Sequence, residues 1–226
     1  VIADSSGNYG LYALGKVPIR QYSGRIAVPA TQDYQWQGYI PKSQMPFVEN
    51  PARGYVMNAN NHVVSKHYGY NLTRMGFDDF RGIKINDTLN TSSIVSMKEN
   101  KALQLDNEDM VWQFLKPTLL SFNPTEPDAL QLHDALNAWS GEADLESYQQ
   151  TIFATWQSLI GQKVYANVND SLPKWARVSY NDEFIKNALS QNKFCEPYKN
   201  CKALLEDTLV QTNKVLSARY GQPMEL

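Results

Sequence analysis

The chain has 226 residues, 42% of them hydrophobic and 19% charged, with thirteen Tyr, five Trp and a net charge of −2. That is enough apolar chain to bury a core, and it excludes a disordered segment. No basic stripe is present to displace the counterions of a nucleic acid, and no apolar run approaches the roughly 20 residues a membrane span needs.

Val1–Asp4 and Tyr9–Leu14 are β-prone runs joined by Ser5-Ser6-Gly7-Asn8, which predicts a hairpin. The opening Val1-Ile2-Ala3-Asp4 reads as mid-domain strand, so a processed subunit or an internal fragment is expected. Residues 16–53 carry Pro18, Pro29, Pro41, Pro46, Pro51, Gly24 and Gly38 and read as a long surface excursion. Tyr55–Asn58 is expected to return as a strand, and the first strands to pair with strands outside this sequence, since two or three do not make a stable sheet alone. It ends in Asn58-Ala59-Asn60-Asn61. Asparagine amides are good donors to a developing negative charge, although such a cluster also makes an ordinary turn. No G-x-S-x-G elbow is present, and His62, His67 and His133 have no ligand spacing. The attacking group of any chemistry here is therefore expected on other sequence.

Helical periodicity begins with Leu72–Leu89. Asp106, with Asp109 three residues on, predicts an N-cap for a helix through Ser121 that Pro117 should kink or interrupt. Pro127-Asp128 opens a helix to about Trp139 that Ser140-Gly141 ends. Asp144–Ile160 carries the stripe Leu145, Tyr148, Ile152, Trp156 and Leu159. A weaker pattern covers Pro173–Leu189, and a last helix spans about Glu196–Tyr220, stopped by Gly221 and Pro223. The expected fold is thus α+β and predominantly α-helical: a β-rich segment, 1–64, followed by a helical domain, 65–226. Cys195 and Cys201 flank a turn at Pro197, so they are placed either to form a short-loop disulfide or to stand as two thiols near a helix start. Asn71, Asn86, Asn90 and Asn169 match the N-x-S/T acceptor pattern, which chance also supplies.

Asp4-x-x-Gly7-Asn8 is followed by Tyr12-Ala13-x-Gly15-x-Val17-Pro18-Ile19-Arg20, Val28-Pro29, Trp36-x-Gly38-Tyr39-Ile40-Pro41 and Pro46. Asn50-Pro51-x-x-Gly54-Tyr55, Asn58-Ala59-Asn60-Asn61 and Asp79-Phe80-Arg81-x-x-Lys84-Ile85 come next. Leu136-x-x-Trp139-x-Gly141 and Cys201-x-x-Leu204 through Tyr220-Gly221 complete the series. This order of motifs resembles the β chain of the penicillin acylase (penicillin amidase) family, with Ser140 where the family has Asp.

The resemblance implies an internal piece of an N-terminal-nucleophile hydrolase, its strands belonging to an incomplete αββα core. In that family a serine at the start of the β chain attacks with its own α-amine as base. This serine is not in the sequence, so the fragment alone is expected to be inactive. By the resemblance Asn60 is the oxyanion-hole asparagine and Arg81 a supporting arginine. Trp36, Tyr39, Phe47 and Tyr55 are candidates for an apolar acyl pocket, or core. The family's calcium site would fall near Tyr70 and Asn71, which lack a carboxylate, so no metal or other cofactor is expected from this chain. The expected partners are the α chain and the rest of the β chain, with a small-molecule amide as substrate, in a periplasmic or secreted enzyme. N-acyl homoserine lactone cleavage by the same chemistry and a non-catalytic helical interaction module are the alternatives.

Overall fold

The computed structural model describes residues 1–22, 27–65, 67–72, 79–91, 96–170 and 181–221, which form two compact units, Val1–Leu105 and Asp106–Leu226. The architecture is α+β and predominantly helical. The first α-helix begins at Phe80, inside the first unit.

In the first unit β1 (Ile2–Ala3), β2 (Tyr9–Tyr12) and β3 (Phe47–Glu49) form an antiparallel sheet in the order β1-β2-β3. The first strands thus find a partner within the chain, pairing Gly10 with Glu49 and Tyr12 with Phe47. Gly10 permits the approach, since a Cβ there would lie 2.7 Å from the Val48 carbonyl oxygen. The Asp4 turn is a polar knot. Asp4 Oδ1 accepts from the Ser6 and Asn8 amides, and Oδ2 accepts from Asn8 Nδ2, each at 2.9 Å. Hydrogen bonds from Asn8 hold the Asp4 carboxyl below its ordinary pKa. Asn50 closes the knot across the sheet, accepting from the Tyr9 amide and donating to Asn8 Oδ1. The Asp4, Gly7, Asn8 and Asn50 motif residues therefore act structurally. Within the excursion, Pro18 and Tyr39 form a bridge, and Ile19 and Ile40 donate to Gly38 and Val17.

Tyr55–Asn58 is not a strand: the place beside β2 is taken by Phe47–Glu49, and the asparagine segment lies instead against helix α1 (Phe80–Thr91). This helix is shorter than the Leu72–Leu89 expectation, whose part at 73–78 is outside the described residues. α2 (Met97–Gln104) was not expected, although its capping box, Ser96 with Glu99, stands in the sequence.

The second unit is helical: α3 (Met110–Leu119), α4 (Pro127–Ala138), α5 (Tyr148–Asn169), α6 (Asp182–Ser190) and α7 (Cys201–Tyr220). Asp109, not Asp106, caps α3, accepting from the Trp112 amide at 2.9 Å, while Asp106 turns back to the Glu108 amide. Pro117 lies inside α3, which ends only at Leu119. α5 starts at Tyr148 and runs nine residues past Ile160, leaving Leu145 fully exposed and outside the apolar stripe. The part of Pro173–Leu189 at 173–180 lies outside the described residues, as does Pro223. α7 begins at Cys201, where Asn200 accepts from the Ala203 amide, and stops at Gly221 with φ +97°.

α7 packs on α5 and α4, and α3 on α6, around Trp112, Leu132, Phe153, Trp156, Leu204 and Leu209. Trp139 and Gly141 make a corner: Gly141, at φ +101°, leaves 2.7 Å between a hypothetical Cβ and Gln113 Nε2. Ser140 Oγ accepts from the Glu142 amide two residues on, a turn contact that an Asp carboxylate also makes. Cys195 and Cys201 are disulfide-bonded with Cα atoms 5.2 Å apart, and both are buried.

α4 lacks a cap of its own, and Glu206 of α7 supplies one. Its carboxylate accepts from the Thr125 and Glu126 amides and from Thr125 Oγ1. These bonds, from the Thr125 amide first, hold its pKa below the ordinary 4.5. Replacing Glu206 by Ala is expected to cost about 1 kcal/mol at neutral pH, as for a lost N-cap. Because the folded pKa is depressed, this stability is present above the unfolded value of 4.5 and is lost as pH falls through the folded one. Thermal melts should therefore show the gap between wild type and Glu206→Ala closing in acid; a gap independent of pH would contradict the assignment.

Candidate active site

Asn60 and Arg81, separated by 21 residues, meet directly. Arg81 Nη2 donates to Asn60 Oδ1 at 2.9 Å and to the Ala59 carbonyl oxygen at 3.0 Å. Arginine has no acceptor, so the amide facing it must present its oxygen. Asn60 Nδ2 therefore points away from Arg81 and has no hydrogen-bond partner among the described residues. Asp79 does not pair with Arg81. It accepts from the His62 amide at 3.3 Å and lies 3.6 Å from His62 Nδ1.

The turn itself is made by asparagines. Asn58 Oδ1 accepts from the Asn60 amide at 3.0 Å, and Asn61 Oδ1 from the Ala59 amide at 2.9 Å. Asn60 sits at φ +62°, a left-handed conformation that Asn tolerates better than most side chains. Both backbone donors at 59 and 60 are thus used internally, and the outward donor is the exposed Asn60 side-chain amide.

Tyr55, Gly82, Asn86 and Asn90 also contribute, and none was singled out from the sequence for this role. Tyr55 Oη lies 2.6 Å from Asn86 Oδ1 and 2.8 Å from Asn90 Oδ1. Gly82 is buried, and a Cβ there would meet Asn61 Cβ at 3.2 Å. The signal available was the spacing of 82, 86 and 90, which puts all three on one face of a helix.

The four candidate pocket aromatics do not come together. Tyr39 and Phe47 line a cleft of about 570 Å³ with Tyr12, Ile40 and Met45. Trp36 stands edge-on to Tyr39, while Tyr55 is turned to α1. The Tyr70 hydroxyl is bonded to Gln44 Oε1, and no group of three His, Cys, Asp or Glu converges among the described residues. Tyr70 and Asn71, with no carboxylate between them, do not by themselves fit a calcium ion. No described helix is long and apolar enough to cross a membrane.

A small antiparallel sheet and a set of packed helices, with the Asn60 turn held by Arg81, give the α+β, predominantly helical architecture that the motif series implies. The chain belongs to the penicillin amidase family, whose model matches residues 1–225. It is 28% identical over 195 residues to penicillin G acylase of Escherichia coli, covering 78% of this chain and 23% of that protein. It is 26% identical over 170 residues to the penicillin acylase 2 proenzyme of Pseudomonas sp. (strain SE83), covering 74% and 22%. Its fold matches thermostable penicillin G acylase from Alcaligenes faecalis with a TM-score of 0.69 at 19% identity, over 98% of this chain and 47% of that one. The chain thus spans under a quarter of the curated relatives it matches.

Proposed function

We propose that this chain supplies the charge-stabilising part of an enzyme that hydrolyses the amide bond of an acylated small molecule. The observation that carries this reading is the Arg81–Asn60 bond, which turns Asn60 Nδ2 outward as an uncommitted donor. In the proposed reaction a serine elsewhere in the full-length protein adds to the substrate carbonyl. The carbonyl oxygen becomes an oxyanion, and Asn60 Nδ2–H donates to it. Collapse expels the amine and leaves a serine ester that water cleaves. Arg81 is a supporting residue: it fixes which end of the amide faces the substrate and keeps the turn at Ala59 closed.

The attacking serine and its amine base belong, in this reading, to the remainder of the enzyme, its α chain and the rest of its β chain. Among the described residues no serine or cysteine hydrogen-bonds a histidine ring, and the 226 residues by themselves are proposed to be inactive. The buried disulfide supports an exported, periplasmic or secreted enzyme, because such bridges persist in oxidising compartments. The test is an assay of the full-length protein on a panel of chromogenic amides with phenylacetyl and longer acyl groups, beside N-acyl homoserine lactones. Hydrolysis of the acyl–amide bond is expected, and the preferred acyl group identifies the substrate class. Absence of turnover across the panel by correctly processed protein would contradict the proposal.

A further inference from the structure

We infer that the face of α1 bearing Gly82, Asn86 and Asn90 sets the position of the Asn60 donor, and that Gly82 and Tyr55 are positioning residues of the reaction. The inference rests on the oxyanion role proposed for Asn60.

With no strand pairing at 55–58, the asparagine segment takes its position from α1. The contacts at Gly82, Asn86 and Asn90 fall on one stripe of that helix, at intervals of four residues, with Arg81 next to its start. At its first turn, Arg81 holds Ala59 and Asn60, and the bare Gly82 backbone faces Asn61 and Met57. One and two turns on, Asn86 and Asn90 hold the Tyr55 hydroxyl. That hydroxyl has one proton, directed at the two amide oxygens, Asn86 Oδ1 at 2.6 Å and Asn90 Oδ1 at 2.8 Å. Arg53 fastens the same segment, donating from Nε to the Tyr55 carbonyl oxygen at 3.0 Å with its guanidinium 4.8 Å from the Tyr55 ring centroid. The segment is therefore anchored on both sides of Met57.

Gly82 connects this docking to the donor. A methyl group at 82 would stand 3.2 Å from Asn61 Cβ and 3.4 Å from Asn61 Cγ. Asn61 would have to yield by a few tenths of an ångström, and it is tied at both ends of its amide: Oδ1 takes the Ala59 amide, and Nδ2 donates to the His62 carbonyl oxygen at 3.1 Å. The displacement passes to Ala59, whose carbonyl oxygen shares Arg81 Nη2 with Asn60 Oδ1. A preorganised donor loses its advantage when moved, since a misplacement of about 1 Å can cost about 10²-fold in rate. A glycine that matters only for packing behaves in the opposite way: the added Cβ lowers stability while the turnover of the folded enzyme is unchanged, and only a glycine with neither role shows the plain helix preference for Ala.

The experiment uses the mature full-length enzyme, with Gly82→Ala and Tyr55→Phe made alone and in an Asn60→Ala background, and a chromogenic amide that wild type hydrolyses. Gly82→Ala is expected to lower kcat about tenfold, and Tyr55→Phe about three- to tenfold, with KM within about twofold and the thermal midpoint of Gly82→Ala not reduced. In the Asn60→Ala background neither change should lower kcat further, because the donor being positioned is gone. If one variant does not mature, the other carries the same comparison. Equal fold losses in both backgrounds, or kcat within about twofold of wild type for each variant, would overturn the inference while a crippled Asn60→Ala enzyme left the parent reading standing. An Asn60→Ala enzyme of near wild-type kcat would overturn both.

Discussion

Replacing Asn60 by Ala in the mature full-length enzyme is expected to lower kcat about 10²–10³-fold while KM changes by only a few-fold. The effect is a difference between states. A ground-state carbonyl oxygen gains little from an exposed amide, whereas the oxyanion of a tetrahedral intermediate gains a great deal from a donor already aimed at it. In the proposed role Arg81 does the aiming: it occupies Oδ1, which leaves the N–H group directed outward. Alanine also introduces strain, because residue 60 has φ +62° and a left-handed non-Gly residue costs about 1–2 kcal/mol. Asn60→Gly removes that complication. If loss of the donor is what matters, the glycine variant should be as slow as the alanine one. Asn60→Asp should be no faster, since it keeps the Arg81 contact but presents an acceptor where a donor is needed. Recovery of activity in Asn60→Gly would make the residue a turn former only. Mass spectrometry must first show that each variant has been processed.

Replacing Trp156 by Ala is expected to destabilise the protein by about 3–5 kcal/mol, out of a total of about 5–15 for a typical domain. Trp156 is fully buried where α5 meets α7, beside Phe122. Its indole N–H is shared between Thr208 Oγ1 at 3.0 Å and the Leu205 carbonyl oxygen at 3.2 Å. The truncation therefore opens a cavity and leaves buried acceptors short of a donor. Trp156→Phe keeps most of the apolar volume and should cost less than half as much. Denaturant midpoints of the full chain provide the comparison, and an Ala variant within about 1 kcal/mol of wild type would mean that the α5–α7 contact is not the core of the second unit.

Local chemistry was readable in the sequence wherever a residue acts on its near neighbours. The Asp4–Asn8 turn, the Pro127 start of α4 and the Gly221 stop of α7 are of this kind. The capping box at Ser96 and Glu99 was equally local and was overlooked because the residues around it carry no apolar stripe. Asp106 and Asp109 are both sound caps, and only the pairing of Asp109 with the Trp112 amide and with Gln150 Nε2 decides between them. What could not be read was which surface each segment meets. Tyr55–Asn58 has β propensity, but its neighbour is α1, and that outcome depends on Gly82, Asn86 and Asn90 some 30 residues away. Asn86 and Asn90 match an acceptor pattern in the sequence, whereas in the fold their amides are engaged by Tyr55. Asn60 and Arg81 were named through their motifs. The bond that links them, and hence the direction of the amide, emerges only when the turn and the helix are brought together.

If Asn60 Nδ2 acts on the tetrahedral state, the affinity of a boronic-acid analogue of the acyl group, which forms a tetrahedral adduct with the attacking serine, reports it most directly. Its inhibition constant should be compared between wild type and Asn60→Gly, alongside that of the free acid product. The boronate is expected to weaken by the factor lost in kcat/KM, about 10²–10³, while the planar acid changes by a few-fold at most. Equal changes for the two ligands, or none for the boronate, would contradict that role for Asn60.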